Sequence, residues 1–183
     1  MGLGRIVACH TGGMPQETQT TTDAATRNGW LRLDDAGLLA QCEEHGYRSS
    51  GPGGQRRNKV ETAARVRHRP SGIEAHAAET RRREDNRKRA LRRLRERIAI
   101  EVRSPYEEPP ELAAYRRDKR LSINGRNPAY PVVLGAVLDA LAESGGSYAG
   151  AAKKIGTTTS QLLKFLQADR EAWRSVSEGC PKT

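Results

Sequence analysis

One narrow apolar stripe in a strongly charged segment near the middle of the chain constrains the fold more than any other feature. The stripe repeats every three to four residues, as on one face of an α-helix, while nearly all other positions are Arg, Lys or Glu. Asp85 or Asn86 is predicted to cap the start of this helix. The helix must bury its stripe against another element of the chain. The stripe consists of Leu91, Leu94, Ile98 and Val102.

The partner of this helix is predicted just upstream, as a β-hairpin. Residues 63–68 alternate between apolar and polar side chains and residues 73–77 read as a second strand, with a Pro-Ser-Gly turn at residues 70–72 between them. A further short strand is expected at residues 45–49. The predicted fold class is therefore α+β, with a small β-sheet packed by the long basic helix and a small helical unit at the C-terminal end.

Positive charge is concentrated in the same part of the chain. The formal net charge is +10, and residues 48–103 alone hold 18 Lys and Arg against 7 Asp and Glu, a net of +11. Charge of this sign indicates a polyanionic partner, nucleic acid before a membrane surface. Around the long helix only Glu84, Asp85 and Glu96 offset ten cations, so we expect phosphates to bind there.

Several protein classes are not expected. No apolar run approaches the roughly 18 residues of a membrane span, and the first 13 residues lack the pattern of a secretory signal. Cys9, Cys42 and Cys180 are scattered and odd in number, which favours neither a disulfide framework nor a zinc site. We predict a cytoplasmic monomer that binds no membrane, metal or organic cofactor.

A glycine-rich loop at residues 50–57 precedes the hairpin and cannot sustain a helix or strand. The adjacent Gly53 and Gly54 let the backbone approach another molecule closely. Gln55 presents a side-chain amide and a backbone N–H, and N–H groups held in this way stabilise a developing oxyanion. The bare tripeptide is common by chance and equally fits an ordinary flexible turn.

The context of this loop resembles the catalytic domain of class-I peptide chain release factors and of the related ribosome-rescue peptidyl-tRNA hydrolases. The resemblance covers residues 47–91 at collinear spacing. Two departures both add positive charge: Arg56-Arg57 after the glutamine, and Arg82-Arg83 where the family usually has Ser-Gln. The residues that carry the resemblance are Arg48, Ser49, Ser50, Gly51, Pro52, Gly53, Gly54, Gln55, Asn58, Lys59, the strand around residues 64–67, the turn at residues 69–73, Asn86, Ala90 and Leu91.

In that family the Gly-Gly-Gln loop enters the peptidyl transferase centre and promotes attack of water on the ester between peptide and tRNA. The resemblance implies that Gly53 and Gly54 shape the loop, and that Gln55 positions water and excludes other nucleophiles. Gln55 also becomes a candidate methylation site, with a glutamine methyltransferase as a partner. No side-chain general base is implied, and we expect His68 and His76 to be structural or surface residues.

The resemblance also implies the partners, which are the rRNA of the large ribosomal subunit and peptidyl-tRNA. A chain of 183 residues has no room for the codon-reading domains of release factors, so hydrolysis is expected to be codon-independent. The residues predicted to bind RNA are Arg48, Arg56, Arg57, Asn58, Lys59, Arg81, Arg82, Arg83, Arg87, Lys88, Arg89, Arg92 and Arg93.

The predicted organisation has five parts. Residues 1–29 form a weakly structured extension, residues 30–103 the catalytic domain, residues 104–131 a linker, residues 132–176 a helical unit and residues 177–183 a tail. Helices are predicted in it at residues 132–143, 148–155 and 159–167, with a glycine-containing turn at residues 156–158. The last two helices resemble a helix-turn-helix, but a small bundle that only packs is an equal interpretation. This unit is expected to bind ribosome, tRNA or an unidentified protein partner.

Two other functions remain open on the sequence alone. One is a non-catalytic RNA-binding or ribosome-binding protein that retains the fold. The other, weaker one is DNA binding through the C-terminal helices, where residues 159–167 would form the recognition helix. Lys164 is the single cation of that helix, which argues against base reading there.

Overall fold

The computed structural model describes residues 24–47 and 62–179. Within them the protein is α+β as predicted, because a three-stranded antiparallel sheet is packed by one long helix and further helices follow. The helices are α1 (Ala24–Arg32), α2 (Asp35–Ala40), α3 (Arg83–Glu101), α4 (Pro110–Tyr115), α5 (Tyr130–Glu143), α6 (Tyr148–Ile155), α7 (Thr159–Gln167) and α8 (Arg170–Gly179). The strands are β1 (Cys42–Tyr47), β2 (Ala63–His68), β3 (Glu74–Ala77), β4 (Arg116–Arg117) and β5 (Arg120–Leu121).

The main sheet has the strand order β1-β2-β3, and both neighbouring pairs are antiparallel. The predicted hairpin is confirmed, since β2 has its predicted bounds and Gly72 (φ 71°) lies in the turn to β3. β1 begins earlier than predicted because Cys42 pairs with His68, so the ladder runs along all of β2. Residues 48 and 49 of the predicted first strand lie outside the described residues.

Helix α3 covers one face of this sheet. Its contacts with β2 and β3 bury the predicted stripe, and the half-buried Val102 follows as the C-cap residue. On β2, Val66 is buried between the exposed Arg65 and Arg67, which gives the sheet one apolar face. The buried members of the stripe are Leu91, Leu94 and Ile98.

The start of α3 differs from the prediction. The helix begins at Arg83, and Arg82 occupies the N-cap position without a side-chain capping bond. Asp85 and Asn86 therefore lie inside the first turns rather than at the cap. Asn86 is fully buried, and its amide bonds to residues that precede the helix instead.

The N-terminal helix α1 includes residues 24–29, which the sequence pattern places in the weakly structured extension. Arg27 and Leu31 of this helix are buried, so tertiary contacts stabilise a segment that lacks a clear apolar period. Helix α2 follows closely. Asp34 caps it by accepting a hydrogen bond from the Gly37 N–H at 2.7 Å.

The segment predicted as a linker, residues 104–131, contains regular structure. Pro110 lies in the first turn of α4, where its missing N–H costs no intrahelical hydrogen bond. Leu112 and Leu121 are buried and join α4 and β5 to the core. Pro110 therefore begins a helix inside the predicted linker.

The C-terminal helices α5 to α8 follow. Helices α6 and α7 have their predicted bounds, α5 begins two residues before the predicted start, and α8 ends beyond the predicted unit. Helix α5 is buried along most of its length and packs against α3, so the sheet and these helices share one core. No helix in the described ranges is long and apolar enough to cross a membrane.

Candidate active site

The predicted catalytic loop connects β1 to β2. The two strand ends that carry it are described: Tyr47 pairs with Ala63, and Gly46 pairs with Ala64. The loop therefore leaves and re-enters the sheet at neighbouring positions. The predicted site residues that lie outside the described residues are Arg48, Gly53, Gly54, Gln55, Arg56, Arg57, Asn58 and Lys59.

Asn86 joins the base of the loop to the long helix. Its Nδ2 donates to the Thr62 carbonyl at 2.7 Å and to the Thr80 carbonyl at 2.9 Å. Its Oδ1 accepts from the Thr80 N–H at 2.9 Å and from the Thr80 hydroxyl at 3.0 Å. Because the side chain is fully buried, these bonds satisfy polar groups that water cannot reach. The end of the loop and the start of α3 are thus held together. The sequence motif contained Asn86, but its spacing suggested only a helix cap.

A charged contact lies beside the other end of the loop. Arg83 donates to Glu44 Oε1 at 3.1 Å, and its guanidinium lies 3.4 Å from where a Cβ on Gly46 would stand. Arg87 pairs with Glu84 at 2.6 Å and lies 3.9 Å from the second oxygen of Glu44. Two residues predicted to bind RNA, Arg83 and Arg87, are therefore engaged by carboxylates of the protein itself.

Helix α3 is better neutralised than the sequence predicts. The prediction that only Glu84, Asp85 and Glu96 offset its cations is wrong, because carboxylates from other elements and from the end of the helix also reach them. One of these pairs joins residues 60 apart in the sequence, which a local count cannot include. The additional pairs are Arg83–Glu44 (3.1 Å), Arg93–Glu79 (2.6 Å), Arg95–Asp35 (2.8 Å) and Arg97–Glu101 (2.7 Å).

A smaller set of cations remains available to a ligand. Four of them have no ion pair or side-chain hydrogen bond within residues 24–47 and 62–179, and the fifth, Arg92, has its Nε 3.7 Å from Glu96. All five are exposed and lie at the N-terminal half of α3 or just before it, the end that Asn86 joins to the loop. Their role in RNA binding stays a prediction. This helix surface consists of Arg81, Arg82, Lys88, Arg89 and Arg92.

Comparison with known proteins bears directly on this arrangement. The RF-1 domain family matches residues 39–127, from α2 to the segment before α5. Residues 39–127 are therefore similar to this family, and we call them the release-factor-like domain. The match includes the sheet, the connection that carries the loop, and α3, while the helices after residue 127 lie outside it.

Curated relatives agree with this assignment. An uncharacterized mitochondrial peptide chain release factor-like protein of Saccharomyces cerevisiae is 45% identical over 87 residues, covering 45% of this chain and 55% of that protein. Mitochondrial translation release factor in rescue of Danio rerio is 39% identical over 88 residues, covering 46% and 56%. Peptide chain release factor 1 of Chloroherpeton thalassium is 52% identical over 52 residues, covering 28% and 14%. The match thus spans about half the length of the first two relatives.

Both histidines of the hairpin in the release-factor-like domain fit the predicted structural or surface role. His68 is fully buried, and its ring nitrogens lie 2.8 Å from Ser71 Oγ and 3.1 Å from Gln41 Oε1. Burial lowers the pKa of His68, which keeps its ring neutral at pH 7. His76 is exposed on β3.

Helix α1 meets the C-terminal helix α5 at a buried ion pair. Arg27 Nη1 lies 2.6 Å from Asp139 Oδ2, and each side chain is 1% exposed. Asp139 also accepts hydrogen bonds from the Ser104 N–H at 3.3 Å and hydroxyl at 3.2 Å. Burial raises the pKa of Asp139, and the charges of Arg27 and Arg103 oppose that rise. This network joins α1, the end of α3 and α5.

Glu96 is a second carboxyl at the same junction, on the part of α3 that approaches α8. Burial raises the pKa of Glu96 to about 7, the negative charges of Asp169 and Glu171 add to the rise, and Arg92 and Arg93 oppose it. Its nearest cation, Arg92, is 3.7 Å away. Glu96 is therefore partly protonated near neutral pH, unlike a carboxylate held in a close ion pair.

Proposed function

We propose that this protein hydrolyses the ester bond of peptidyl-tRNA in the peptidyl transferase centre of the ribosome, without reading a codon. The observation that carries the proposal is a Gly53-Gly54-Gln55 sequence between β1 and β2 of a release-factor-like domain. At the level of the family, the match supports a role in translation release and ribosome rescue.

The described geometry supports delivery of such a loop to an RNA-lined site. Asn86 holds the base of the loop against α3, and Arg83 packs at the strand on the other side. The helix surface lies at this same end of α3, where its cations would bind rRNA phosphates. These contacts support a loop base and an RNA-binding surface that lie next to each other at the same end of α3.

In the proposed reaction, water attacks the ester carbonyl carbon and an oxyanion forms. The bond from this carbon to the tRNA ribose oxygen then breaks, and that oxygen takes up a proton. We assign Gln55 to position the water, and its backbone N–H to donate to the oxyanion. Gly53 and Gly54 allow the close approach of the backbone. His68 is buried and hydrogen-bonded within the sheet, so the proposal gives it no role as a base.

The test is peptide release from ribosomes that hold peptidyl-tRNA but no stop codon. Gln55→Ala is expected to lower the release rate about 100-fold, because the attacking water loses its position. Gln167→Ala makes the same chemical change at an exposed position of α7 and should release like the wild type. No release by the wild type, or equal release by Gln55→Ala, would contradict the proposal.

A non-catalytic RNA-binding or ribosome-binding protein is the second candidate function. It is favoured by the exposed helix surface and by Arg56 and Arg57, which add charge within the loop sequence. It predicts salt-sensitive ribosome binding with no turnover, unaffected by Gln55→Ala. DNA binding through α6 and α7 is weaker, because Lys164 is the single cation of α7.

Further assignments belong to the same proposal. Residues 30–103 act as the catalytic part, and the helices after residue 132 bind ribosome, tRNA or a protein partner. A glutamine methyltransferase modifies Gln55, and the protein acts in the cytoplasm. Mass spectrometry of Gln55 in protein purified from its native host tests the methylation, since an added methyl group shifts the mass of that peptide.

A further inference from the structure

The turn between β4 and β5 concentrates positive charge outside the helix surface. We define the basic turn as residues 116–120, in which Asp118 is the single residue that is not a cation. It lies in the segment predicted as a linker, and the proposed function gives it no role. The exposed cations of the basic turn are Arg117, Lys119 and Arg120.

The backbone of the basic turn is unfavourable for its sequence. Asp118 (φ 47°) and Lys119 (φ 63°) are both in the left-handed region, as a two-residue hairpin turn requires. Asp tolerates this conformation, but a lysine there is strained in a way that glycine would not be. The chain therefore carries a cation at the tip of the turn at a cost in folding stability.

The charges of the basic turn are also unfavourable for folding. Arg117 lies directly opposite Arg120 in the ladder, and like charges in such cross-strand pairs destabilise a sheet. Arg117, Lys119 and Arg120 have no ion pair or side-chain hydrogen bond within the parts of the chain that the structure describes. Strain and repulsion thus coincide at one exposed position.

Contacts with the α6–α7 turn nevertheless hold the basic turn in place. The buried Thr157 donates from its hydroxyl to the Lys119 carbonyl at 2.6 Å. Arg116 donates to the Ile155 carbonyl and pairs with Glu108 at 2.9 Å. The cations are therefore presented on a fixed backbone, which lowers the entropy cost of binding a ligand.

We propose that the basic turn is a second binding site for the phosphate backbone of RNA, contributed by the part of the protein next to the C-terminal helices. A polyanion relieves the repulsion between Arg117 and Arg120 and offsets the strain at Lys119. Two neighbouring guanidinium groups match the bidentate geometry of phosphates. The inference rests on the proposed function, since a ribosomal substrate supplies RNA as the polyanion.

The test is equilibrium binding of the full-length protein at several salt concentrations, with large ribosomal subunits and deacylated tRNA as separate probes. The triple variant Arg117→Gln, Lys119→Gln, Arg120→Gln is expected to bind at least one probe roughly 10-fold more weakly. The slope of log affinity against log salt should become shallower by about two units, since three phosphate contacts are lost. The probe that loses affinity identifies the RNA.

Two controls separate charge from geometry. Arg117→Lys with Arg120→Lys retains the charges and should keep the wild-type salt slope. The triple variant should unfold at a temperature equal to or above that of the wild type, because repulsion is removed. The proposal would be overturned if the triple variant bound both RNA probes with the affinity and salt slope of the wild type. It would also be overturned if the lysine variant lost the wild-type salt slope.

Peptide release distinguishes this inference from the proposed function. With saturating protein, the triple variant should release peptide at the wild-type maximal rate, whereas Gln55→Ala should bind like the wild type and fail to release. If Gln55→Ala releases normally, the proposed function fails while the binding result still decides the inference. A maximal rate that falls in the triple variant in spite of saturation would contradict a role confined to binding.

Discussion

The long helix α3 is held on its two sides by different chemistry. On the sheet side the neutral amide of Asn86 makes four hydrogen bonds, whereas the junction with the C-terminal helices contains the Arg27–Asp139 pair and Glu96. A satisfied neutral group is stable over a wide pH range, but a buried charge depends on its partner and its protonation. Different perturbations should therefore lower the stability of the two sides.

The largest effect is expected from Asp139→Asn, which tests whether the junction depends on charge. The variant leaves the Arg27 guanidinium buried without a counter-ion, and such a loss costs about 3–5 kcal/mol of unfolding free energy. Urea denaturation of wild type and variant measures the difference.

Glu143→Gln is the matched control for Asp139→Asn, because Glu143 forms a comparably short pair with Lys154 on the surface. Exposed pairs of this kind contribute little to stability. Equal destabilisation by the two variants would show that burial of the Arg27–Asp139 pair has no special consequence.

Glu96→Gln tests the second charge of the junction through pH. The ordinary carboxyl pKa of 4.5 is raised to about 7 in the fold, so between these values the folded protein retains a proton that the unfolded chain has lost. The contribution of Glu96 to stability should therefore fall as pH rises from 4.5 to 7, by up to about 3 kcal/mol. The variant should lack this fall when denaturation is repeated across pH, and an unchanged profile would refute the assignment.

Asn86→Ala tests the sheet side. Removing the amide leaves the Thr62 carbonyl and the Thr80 N–H without their partner, at an expected cost of about 2 kcal/mol that is similar at pH 5 and pH 8. Asn86→Asp keeps the acceptor but cannot donate to Thr62, so it should not restore stability. A strong pH dependence of the Asn86→Ala effect would remove the contrast between the two sides.

His68→Gln should give the smallest effect and sharpens the same contrast. Because burial lowers the pKa of His68 below the ordinary 6.5, the unfolded chain binds a proton more readily than the fold does. This residue therefore lowers stability as pH falls below about 6.5, opposite in sign to Glu96. In a Glu96→Gln background, His68→Gln should reduce the loss of stability at acid pH. An identical loss with and without His68→Gln would contradict this prediction.

Local signals allowed the sequence to predict the hairpin and the helices α6 and α7. The alternation of residues 63–68 predicts β2, and the glycine-containing turn at residues 156–158 separates the two helices. Each of these signals acts within a few residues, so one sequence is sufficient to read it. The Gly-Gly-Gln motif needed a wider context, because the tripeptide is common by chance and the resemblance rests on residues 47–91.

Features that depend on distant residues were missed. The ion pairs of α3 with Glu44, Glu79 and Asp35 come from other elements, so counting neighbours overestimated the number of available cations. The prolines at residues 109 and 110 read as a break, although Pro110 begins α4 and Leu112 is buried. The four hydrogen bonds of Asn86 are equally invisible without the fold.

The network around Asp139 also decides how this protein can be dissected. Its side chains come from residue 27 near one end of the described chain, residues 103 and 104 in the middle, and residue 139 in the C-terminal helices. A truncation at residue 110 would remove Asp139 and leave the buried Arg27 without its counter-ion. A deletion of α1 would remove Arg27 and leave Asp139 without that partner. Point substitutions are therefore the sound way to divide its activities, and unfolding should occur in a single cooperative transition.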